Sequence, residues 1–529
     1  EDLVTEIIDI EDLVHHGRSR QCCPYYSARS VLESAESDML LLPYAAILHS
    51  PTRESLGIVL DEDSVIIFDE GHNVIDAIKD MYSAVLTITN LRGSIRALSK
   101  YIDKYSSRFA PRTKYHLQQV RNVLQGFLKY CEEAVTNGSV PADHSIGEFV
   151  FKCKIDHINM FKLCHFLKVS ELSRKLIGFA EIEEKEIDTE EPPMTRSAMH
   201  SVETFLTCLT NPVGDGRILA IPSKLNPNES CDLKFMLLNP AAHFERITKQ
   251  VRSVILAGGT MTPRSTTVDR LLLGTEPGRI HSFSCDHVIS SENLLTMIIP
   301  SGPMDALFDF RFEARSNARA IDQLGRAIIN LVKVVPNGLV VFFPSYSYED
   351  QVWSQWENSG VLVAIERRKS VFREFREASV EIVLDQYSRE ARGRGAFLAA
   401  VIGGKLSEGI NFADELGRCV VVVGMPFANP QDPELLVLQR FLKDRDPQVT
   451  SHLEDSCMNA VNQSIGRVIR HANDYAAILL LDQRFTSSSI HTKLPSWIQS
   501  SLTIPPRHGQ AISQLAQFFK RHHESNRNP

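Results

Sequence analysis

Apolar residues along this chain fall into two regimes. Val65-Ile66-Ile67-Phe68 follows the polar turn Asp61 to Ser64 and stops abruptly at Asp69-Glu70-Gly71-His72. Short apolar runs bounded by polar turns read as strands buried on both faces of a parallel sheet. Ser253 to Ala257, Leu339 to Phe343, Ala396 to Ile402, Cys419 to Val423 and Ala477 to Leu481 have the same form. A helix over Ile321 to Val334 leads into the turn Pro336-Asn337-Gly338. Strands alternating with helices imply right-handed βαβ units, with helices covering both faces of a parallel sheet. Residues 1–60 carry helical patterning, and from about residue 85 to 210 strand-like runs are few. There, leucines and aromatics recur at helical spacing, as in Val120, Val123, Leu124, Phe127 and Leu128. This reads as a helical insertion. Within it, Glu181 to Glu191 holds seven acids against one lysine before Pro192-Pro193, which predicts a solvated loop.

Composition narrows the class. A length of 529 residues suggests about three to four domains. Apolar residues at 43% and charged residues at 23% exclude wholesale disorder, collagen and a simple coiled coil. With 57 Lys and Arg against 65 Asp and Glu, the net charge is −8, so a nucleic-acid partner requires a local basic groove. No apolar run reaches the length of a transmembrane helix, so no membrane partner is expected. Glu1-Asp2-Leu3-Val4 has neither a signal-peptide pattern nor an initiator Met, and truncation or processing at this end is expected. Ten scattered cysteines fit reduced, buried, small apolar residues, with Cys22-Cys23-Pro24-Tyr25 as the exception to test.

Ligands of open α/β sheets bind beyond the carboxyl ends of strands. Asp69 and Glu70 follow such a strand: one acid can hold Mg²⁺ through water, and the other can orient an attacking water. Alone, the tetrapeptide reads better as a solvated acidic turn. Gln463, Arg467 and Arg470 stand at i, i+4 and i+7, which on a helix is one face, and two guanidiniums with an amide suit a triphosphate. The competing reading is a salt-bridged surface helix. Gly403-Gly404-Lys405-Leu406-Ser407-Glu408-Gly409 could form an anion nest or a plain strand-to-helix turn. It is not a P-loop, because Leu406 stands where Ser or Thr should follow the lysine. Lys100, Tyr101, Lys104, Tyr105, Arg108, Arg112, Lys114 and Tyr115 interleave cations with rings, which suits single strands or, equally, a solvated helix with half-buried tyrosines.

Taken in order, Asp-Glu-x-His, Gly-Gly-Thr after a strand, Phe343-Pro344-Ser345-Tyr346, Ser-Glu-Gly-Ile-Asn-Phe and Gln-x-x-Gly-Arg-x-x-Arg resemble motifs II to VI of superfamily-two helicases. Cys23-Pro24-Tyr25, Leu42-Pro43-Tyr44 and Leu481-Asp482-Gln483-Arg484-Phe485 resemble the iron–sulfur XPD group. Ala257-Gly258-Gly259-Thr260-Met261 and Leu237-Leu238-Asn239-Pro240-Ala241 are most similar to its chromosome-loss branch, and the resemblance spans essentially the whole chain. It implies an α/β fold of two RecA-like domains with an Arch-like helical insertion. The boundaries are 1–30 for the end of an iron–sulfur domain, 31–85 and 235–300 for the first RecA-like domain, 86–234 for the insertion and 301–529 for the second.

The implied roles are as follows. Asp69 holds Mg²⁺, Glu70 activates water, and His72 couples the phosphate site to Thr260. Gln463, Arg467 and Arg470 reach the γ-phosphate of ATP, with Arg470 as the finger. Glu408 and Gly409 sense nucleotide and strand together, and Ser345 contacts a DNA phosphate. The first two of these groups are expected to line opposite walls of one crevice. Cys23 matches the last of four cysteines that ligate a [4Fe–4S] cluster, whose partners and P-loop would precede Glu1. The chain alone is therefore expected to lack both cluster and turnover. Gly71 stands where the family usually has Ala, and weakened coupling is the most that this change should cause. The implied activity is an ATP-dependent, 5′-to-3′ DNA helicase working in cohesion, replication and genome maintenance. Implied with it are single-stranded or forked DNA, cohesion or replication-fork partners, a monomeric state and a nuclear location. The alternative is a non-catalytic pseudo-helicase that grips DNA or partners as a scaffold.

Overall fold

The computed structural model describes residues 9–27, 39–186, 196–212, 214–285, 287–375, 380–406, 412–445 and 452–525. Its strands are β1 (Val65–Phe68), β2 (Ala84–Leu86), β3 (Ala142–His144), β4 (Gly216–Pro222), β5 (Cys231–Leu237), β6 (Ser253–Leu256) and β7 (Leu294–Ile298). They continue with β8 (Gly338–Phe343), β9 (Ser370–Arg373), β10 (Ala396–Val401), β11 (Cys419–Val423), β12 (Ala476–Leu481) and β13 (Leu502–Thr503). The chain forms two compact units: Glu1–Ala257 with Arg270–Leu273 and Gln431–Gln448, and Gly258–Asp269 with Gly274–Pro430 and Val449–Pro529. The α/β class with parallel sheets read from the sequence is the class observed.

The first unit holds two sheets. β1 and β6 pair in parallel, Val65 opposite Ser253 and Phe68 opposite Leu256. Ile66 and Phe68 are buried, whereas Val65 and Ile67 are exposed, so β1 is covered on one face and not on both as its unbroken apolar run predicts. Among the described residues β1 pairs with β6 alone, and Phe68 on its covered face meets Tyr44 and Phe244. The insertion is not built of helices alone. β2, β5, β4 and β3 form an antiparallel sheet in that order, and the 234/235 boundary cuts through β5. Its helices Ile88–Tyr105, Pro111–Thr136 and Arg196–Cys208 contribute to one core, and Val120, Val123, Leu124 and Phe127 are fully buried as their spacing predicts. The expected acidic loop starts later than predicted, since residues through Glu186 continue the helix Leu172–Glu186; residues 187–195 lie outside the described residues. Helix Pro433–Arg445, assigned by sequence to 301–529, packs instead in the first unit. Val437 and Leu438 cover Leu219, Met236 and Leu238, and Glu434 meets Lys234 at 2.6 Å.

The second unit is one seven-stranded sheet, β13-β7-β12-β11-β8-β10-β9, with every pairing parallel. Every residue of β8, β10, β11 and β12 is buried. Alternate side chains feed two cores: Leu339, Val341 and Phe343 point to one face of β8, Val340 and Phe342 to the other. This is why these strands read as continuous apolar runs. From β8 the chain fills one side with β9 and β10, then the other with β11 and β12, so strand order reverses between β8 and β11. Segment 258–269, grouped by sequence with 235–300, packs in this unit through Asn462 and Asp455.

Two buried ion pairs close this sheet. Arg418 lies 3.9 Å over the Tyr475 ring and donates to Asp474 Oδ1 at 2.7 Å, both charged side chains being nearly inaccessible. Asp474 Oδ2 accepts the Asp414 amide at 3.2 Å, and His471 Nε2 stands 3.0 Å from Asp414 Oδ1. Asp482, at the end of β12, receives Arg484 through Nε and Nη2 at 3.0 and 2.7 Å. All ten cysteines are free thiols, and among the described residues no helix is long and apolar enough to cross a membrane.

Removing one member of a buried pair strands the other charge. Asp474→Ala should therefore cost the second unit about 3 kcal/mol in denaturant unfolding. A second expectation concerns His243, whose buried ring lies 3.8 Å from that of Tyr82. Burial pushes its pKa down to about 4 from 6.5. Below pH 6.5 the unfolded chain binds a proton that the folded chain excludes, so this contribution is intact at higher pH and lost as pH falls toward 4. Denaturant unfolding of the first unit at pH 5 should lie up to about 2 kcal/mol below its value at pH 7.5, and His243→Phe should remove that difference.

Candidate nucleotide and nucleic-acid sites

In the first unit, the end of β1 is anchored by Phe68, whose ring meets Tyr44 at 5.6 Å and Phe244 at 5.7 Å. The backbone then turns sharply. Glu70 adopts φ 48°, ψ 48°, and the Gly71 amide donates to the Ala257 carbonyl at 2.7 Å. The Tyr44 hydroxyl donates to the carbonyls of Asp69 and Glu70. Burial, reinforced by the carboxylates of Asp69 and Glu70, raises the Tyr44 pKa, so this hydroxyl stays a donor. The turn presents two exposed carboxylates. Asp69 Oδ1 accepts the Glu70 amide at 3.0 Å, and Glu70 Oε2 stands 3.3 Å from Nδ1 of the largely buried His72. Asp69 thus keeps its second oxygen for a hydrated cation, which fits Mg²⁺ held through water.

Gly71 has a steric reason. A methyl there would come within 3.1 Å of Leu256 Cβ, where the turn passes close to β6. Gly71 also opens a three-residue 3₁₀ turn (Gly71–Asn73) and is not inside an α-helix, so the helix cost of glycine does not arise.

In the second unit, the predicted helical face is broken. Helix His452–Ile465 carries Gln463 and ends before Arg467 and Arg470, which follow in an irregular segment. The last helical bond runs from the Gly466 amide to the Asn462 carbonyl. Buried Val468 and Ile469 pin the segment between the two arginines, and the Arg467 carbonyl accepts the Phe412 amide at 3.2 Å. Gln463 and Arg467 are half-buried and Arg470 is exposed; the helix sets the direction of Gln463, and loop anchors hold the two arginines. Thr260 lies against this turn: a Cβ on Gly466 would meet Thr260 Cγ2 at 3.3 Å. Asn462 Nδ2 donates to the Thr262 carbonyl at 3.1 Å, and Ser265 Oγ to Asp455 Oδ2 at 2.6 Å. Asn462 and Asp455, which fasten Thr260 to the arginine turn, carry no sequence signal beyond their polarity on an amphipathic helix.

Ser345 follows β8 and caps helix Tyr346–Ser359, its hydroxyl accepting the Tyr348 amide at 3.3 Å. Ser345 Oγ also stands 3.4 Å from Ser347 Oγ, where either hydroxyl can donate. Glu408 and Gly409 lie outside the described residues. Asp414, His471 and Asp474 are close enough to suggest a metal trio, but Arg418 and backbone amides already neutralise and satisfy them. Cys23 is exposed and starts a short turn beside Cys22. A cubane cluster needs four thiolates, and among the described residues no group of potential ligands includes a cysteine, so the donors present do not fit one.

The cation-rich hairpin keeps half of its expected character. Lys100, Lys104 and Arg108 are exposed and continue a series begun by Arg92 and Arg96, one cation every fourth residue. On the helix Ile88–Tyr105 the first four of these stand about 6 Å apart along the axis, Arg108 follows beyond its end, and Arg92 pairs with Glu132 at 3.5 Å. Arg92 and Arg96 precede the interleaved run of rings and cations, so nothing in that pattern singles them out. Tyr101 and Tyr105 stack on each other, Phe109 and Phe179 at 5.2 to 6.0 Å and so belong to the fold. Tyr115 stays exposed, Lys114 donates to Ser106 at 2.9 Å and Arg112 is exposed.

Comparison with known proteins agrees with this arrangement. Residues 1–91 match the DEAD_2 family model, and residues 328–501 match the helicase C-terminal domain. The chain is 36% identical to the ATP-dependent DNA helicase DDX11 of Danio rerio, covering 98% of this chain and 65% of that protein. It is 35% identical to chl1 of Schizosaccharomyces pombe over 98% of this chain and 64% of the relative, and 34% identical to chl1 of Aspergillus clavatus over 97% and 73%. The chain thus spans somewhat under two thirds of the length of the first relatives it matches. An XPD helicase structure superposes with TM-score 0.55 at 19% identity, covering 94% of this chain and 78% of the other. S. tokodaii Xpd4 gives 0.53 at 15% identity, with 87% and 81% covered. These two establish the fold, that of XPD helicases with RecA-like domains. The sequence relatives establish more: this chain belongs to the DDX11/CHL1 family of XPD-group DNA helicases.

Proposed function

We propose that this chain is the motor portion of an ATP-dependent DNA helicase that moves along a single strand in the 5′-to-3′ direction. The observation that carries the reading is the acidic turn: exposed Asp69 and Glu70 at the carboxyl end of a parallel strand, with His72 3.3 Å from Glu70. Asp69 would hold Mg²⁺ through water, and that ion would offset phosphate charge. Glu70 orients and deprotonates the attacking water, and His72 keeps the carboxylate aimed. Arg467 and Arg470, with Gln463, meet the γ-phosphate as charge develops, and Thr260 reports that contact through the turn on which it packs. Glu408 and Gly409 belong to the same coupling. Ser345 bonds a backbone phosphate without reading sequence. The series Arg92, Arg96, Lys100, Lys104 and Arg108 supplies the local basic track that a chain of net charge −8 needs.

A nuclear location, a monomeric state, partners at the replication fork or in cohesion, and a [4Fe–4S] cluster completed outside these residues all belong to this proposal. The 529 residues contain no Gly-x-x-x-x-Gly-Lys-Ser/Thr run. A scaffold that binds DNA without turnover is therefore the second reading.

ATPase and fork-unwinding assays on the complete gene product separate the two. Glu70→Gln should lower kcat by about 10²-fold or more, with nucleotide affinity retained. Arg470→Ala should lower it by about 10³-fold. Absence of turnover in the unsubstituted protein, with DNA binding intact, would favour the scaffold. Replacing Lys100, Lys104 and Arg108 together by Ala should flatten the slope of log affinity for single strands against log salt by about 2.

A further inference from the structure

β8 and β10 are neighbours in the sheet, with Val401 opposite Phe343, and each ends in a turn at the same edge. From the end of β9, Glu374 reaches across to both. Its carboxylate is nearly inaccessible, yet no cation is paired with it among the described contacts; the adjacent Arg373 is taken by Glu349 and Asp350. Oε1 accepts the Tyr346 hydroxyl at 2.7 Å and the Leu406 amide at 3.2 Å, and Oε2 accepts the Val401 amide at 3.0 Å. A buried carboxylate is costly unless donors converge on it. Here the donors come from two different turns. Gly404 completes the cradle: a Cβ there would lie 2.5 Å from Glu374 Oε1 and 2.8 Å from the Tyr346 hydroxyl oxygen. Gly403 adopts φ +71° and, with Lys405, faces outward, while Gly404 and Leu406 face inward.

Tyr346 begins the helix that Ser345 caps, so fixing Tyr346 fixes Ser345. Fixing the Leu406 amide likewise fixes the Gly403–Lys405 turn. We propose that Glu374 is a positioning residue that holds Ser345 and Lys405 in one fixed spacing, so that together they grip the sugar–phosphate backbone of a single strand. The inference rests on the DNA-translocating reading and names a further contact, Lys405, and the residue that arranges it. A hydroxyl and an ammonium on separate turns bind a phosphate chain tightly only when their separation is set beforehand, because otherwise binding must order both turns.

The test uses the complete gene product, titrating ATPase activity with a mixed-sequence single-stranded oligonucleotide. Glu374→Gln turns an NH₂ toward a backbone or hydroxyl donor, and Tyr346→Phe removes one hydroxyl. In each, half-saturating DNA should rise about tenfold, the change of one charge-assisted hydrogen bond, while kcat at saturating DNA stays within about twofold. Lys405→Ala should flatten the salt slope of binding by about 0.7, and combining it with Glu374→Gln should cost less than the sum of the two. Unchanged half-saturation in both positioning variants, or a fall in kcat alone, overturns the proposal. If Glu374→Gln loses its cooperative melt, Tyr346→Phe decides. An unsubstituted protein with no DNA-stimulated turnover would overturn the underlying reading instead, and is seen before any substitution is made.

Discussion

The second unit depends on one constraint: an all-parallel sheet must be buried on both faces. Four of its strands are buried at every residue, and their alternate side chains supply two separate cores. Polar chemistry is thereby excluded from the strand bodies and concentrated at their ends. Ser345, Glu374, the Gly403–Lys405 turn and Asp482 all stand at carboxyl ends, beside the reversal of strand order where α/β sheets bind their ligands. Burial makes charges expensive at either edge of the sheet, Arg418 and Asp474 at the amino ends of β11 and β12 and the others at carboxyl ends. Arg418 has Asp474, Arg484 has Asp482, Arg373 has Glu349, and Glu374 has three donors.

These pairings also organise the arginine segment. Arg467 and Arg470 lie beyond a helix that ends at Ile465, where helical hydrogen bonds no longer set direction. Their placement rests on buried Val468 and Ile469, on the Phe412 amide at the Arg467 carbonyl, and on the Arg418–Asp474 pair a few residues on. Thr260, packed on Gly466 and tied through Asn462, shares that support.

The first unit solves a different problem. Its parallel pair β1–β6 carries the acidic turn, but one of its faces leaves Val65, Ile67 and Ile255 exposed. The turn is held from the covered side, by Phe68 between Tyr44 and Phe244 and by the Gly71 amide on Ala257. The larger part of the unit is a mixed helical and antiparallel module, closed by a helix that returns from near residue 433.

Much of this was legible in the sequence, for reasons of period. Continuous apolar runs located β1, β6, β8, β10, β11 and β12, and 3.6-residue spacing located Val120 to Phe127 at the heart of a helical core. The acidic tetrapeptide at a strand end and the glycine-rich turn were readable because their chemistry is local. Interactions between distant residues were not readable. Short antiparallel strands inside the insertion lack a strong period, and the return of helix Pro433–Arg445 to the first unit depends on Val437 and Leu438 meeting Leu219 and Met236. Likewise, i, i+4, i+7 spacing predicts a shared face only while a helix persists, and Gly466 lies beyond the last helical residue. By itself the sequence determined the strands, the motif order and the chemical types present. Tertiary packing alone decided that Tyr101 and Tyr105 lie half-buried against Phe179 and that Glu374 joins two turns. A carboxylate's role is set by the donors that surround it, and here those donors come from positions tens of residues away.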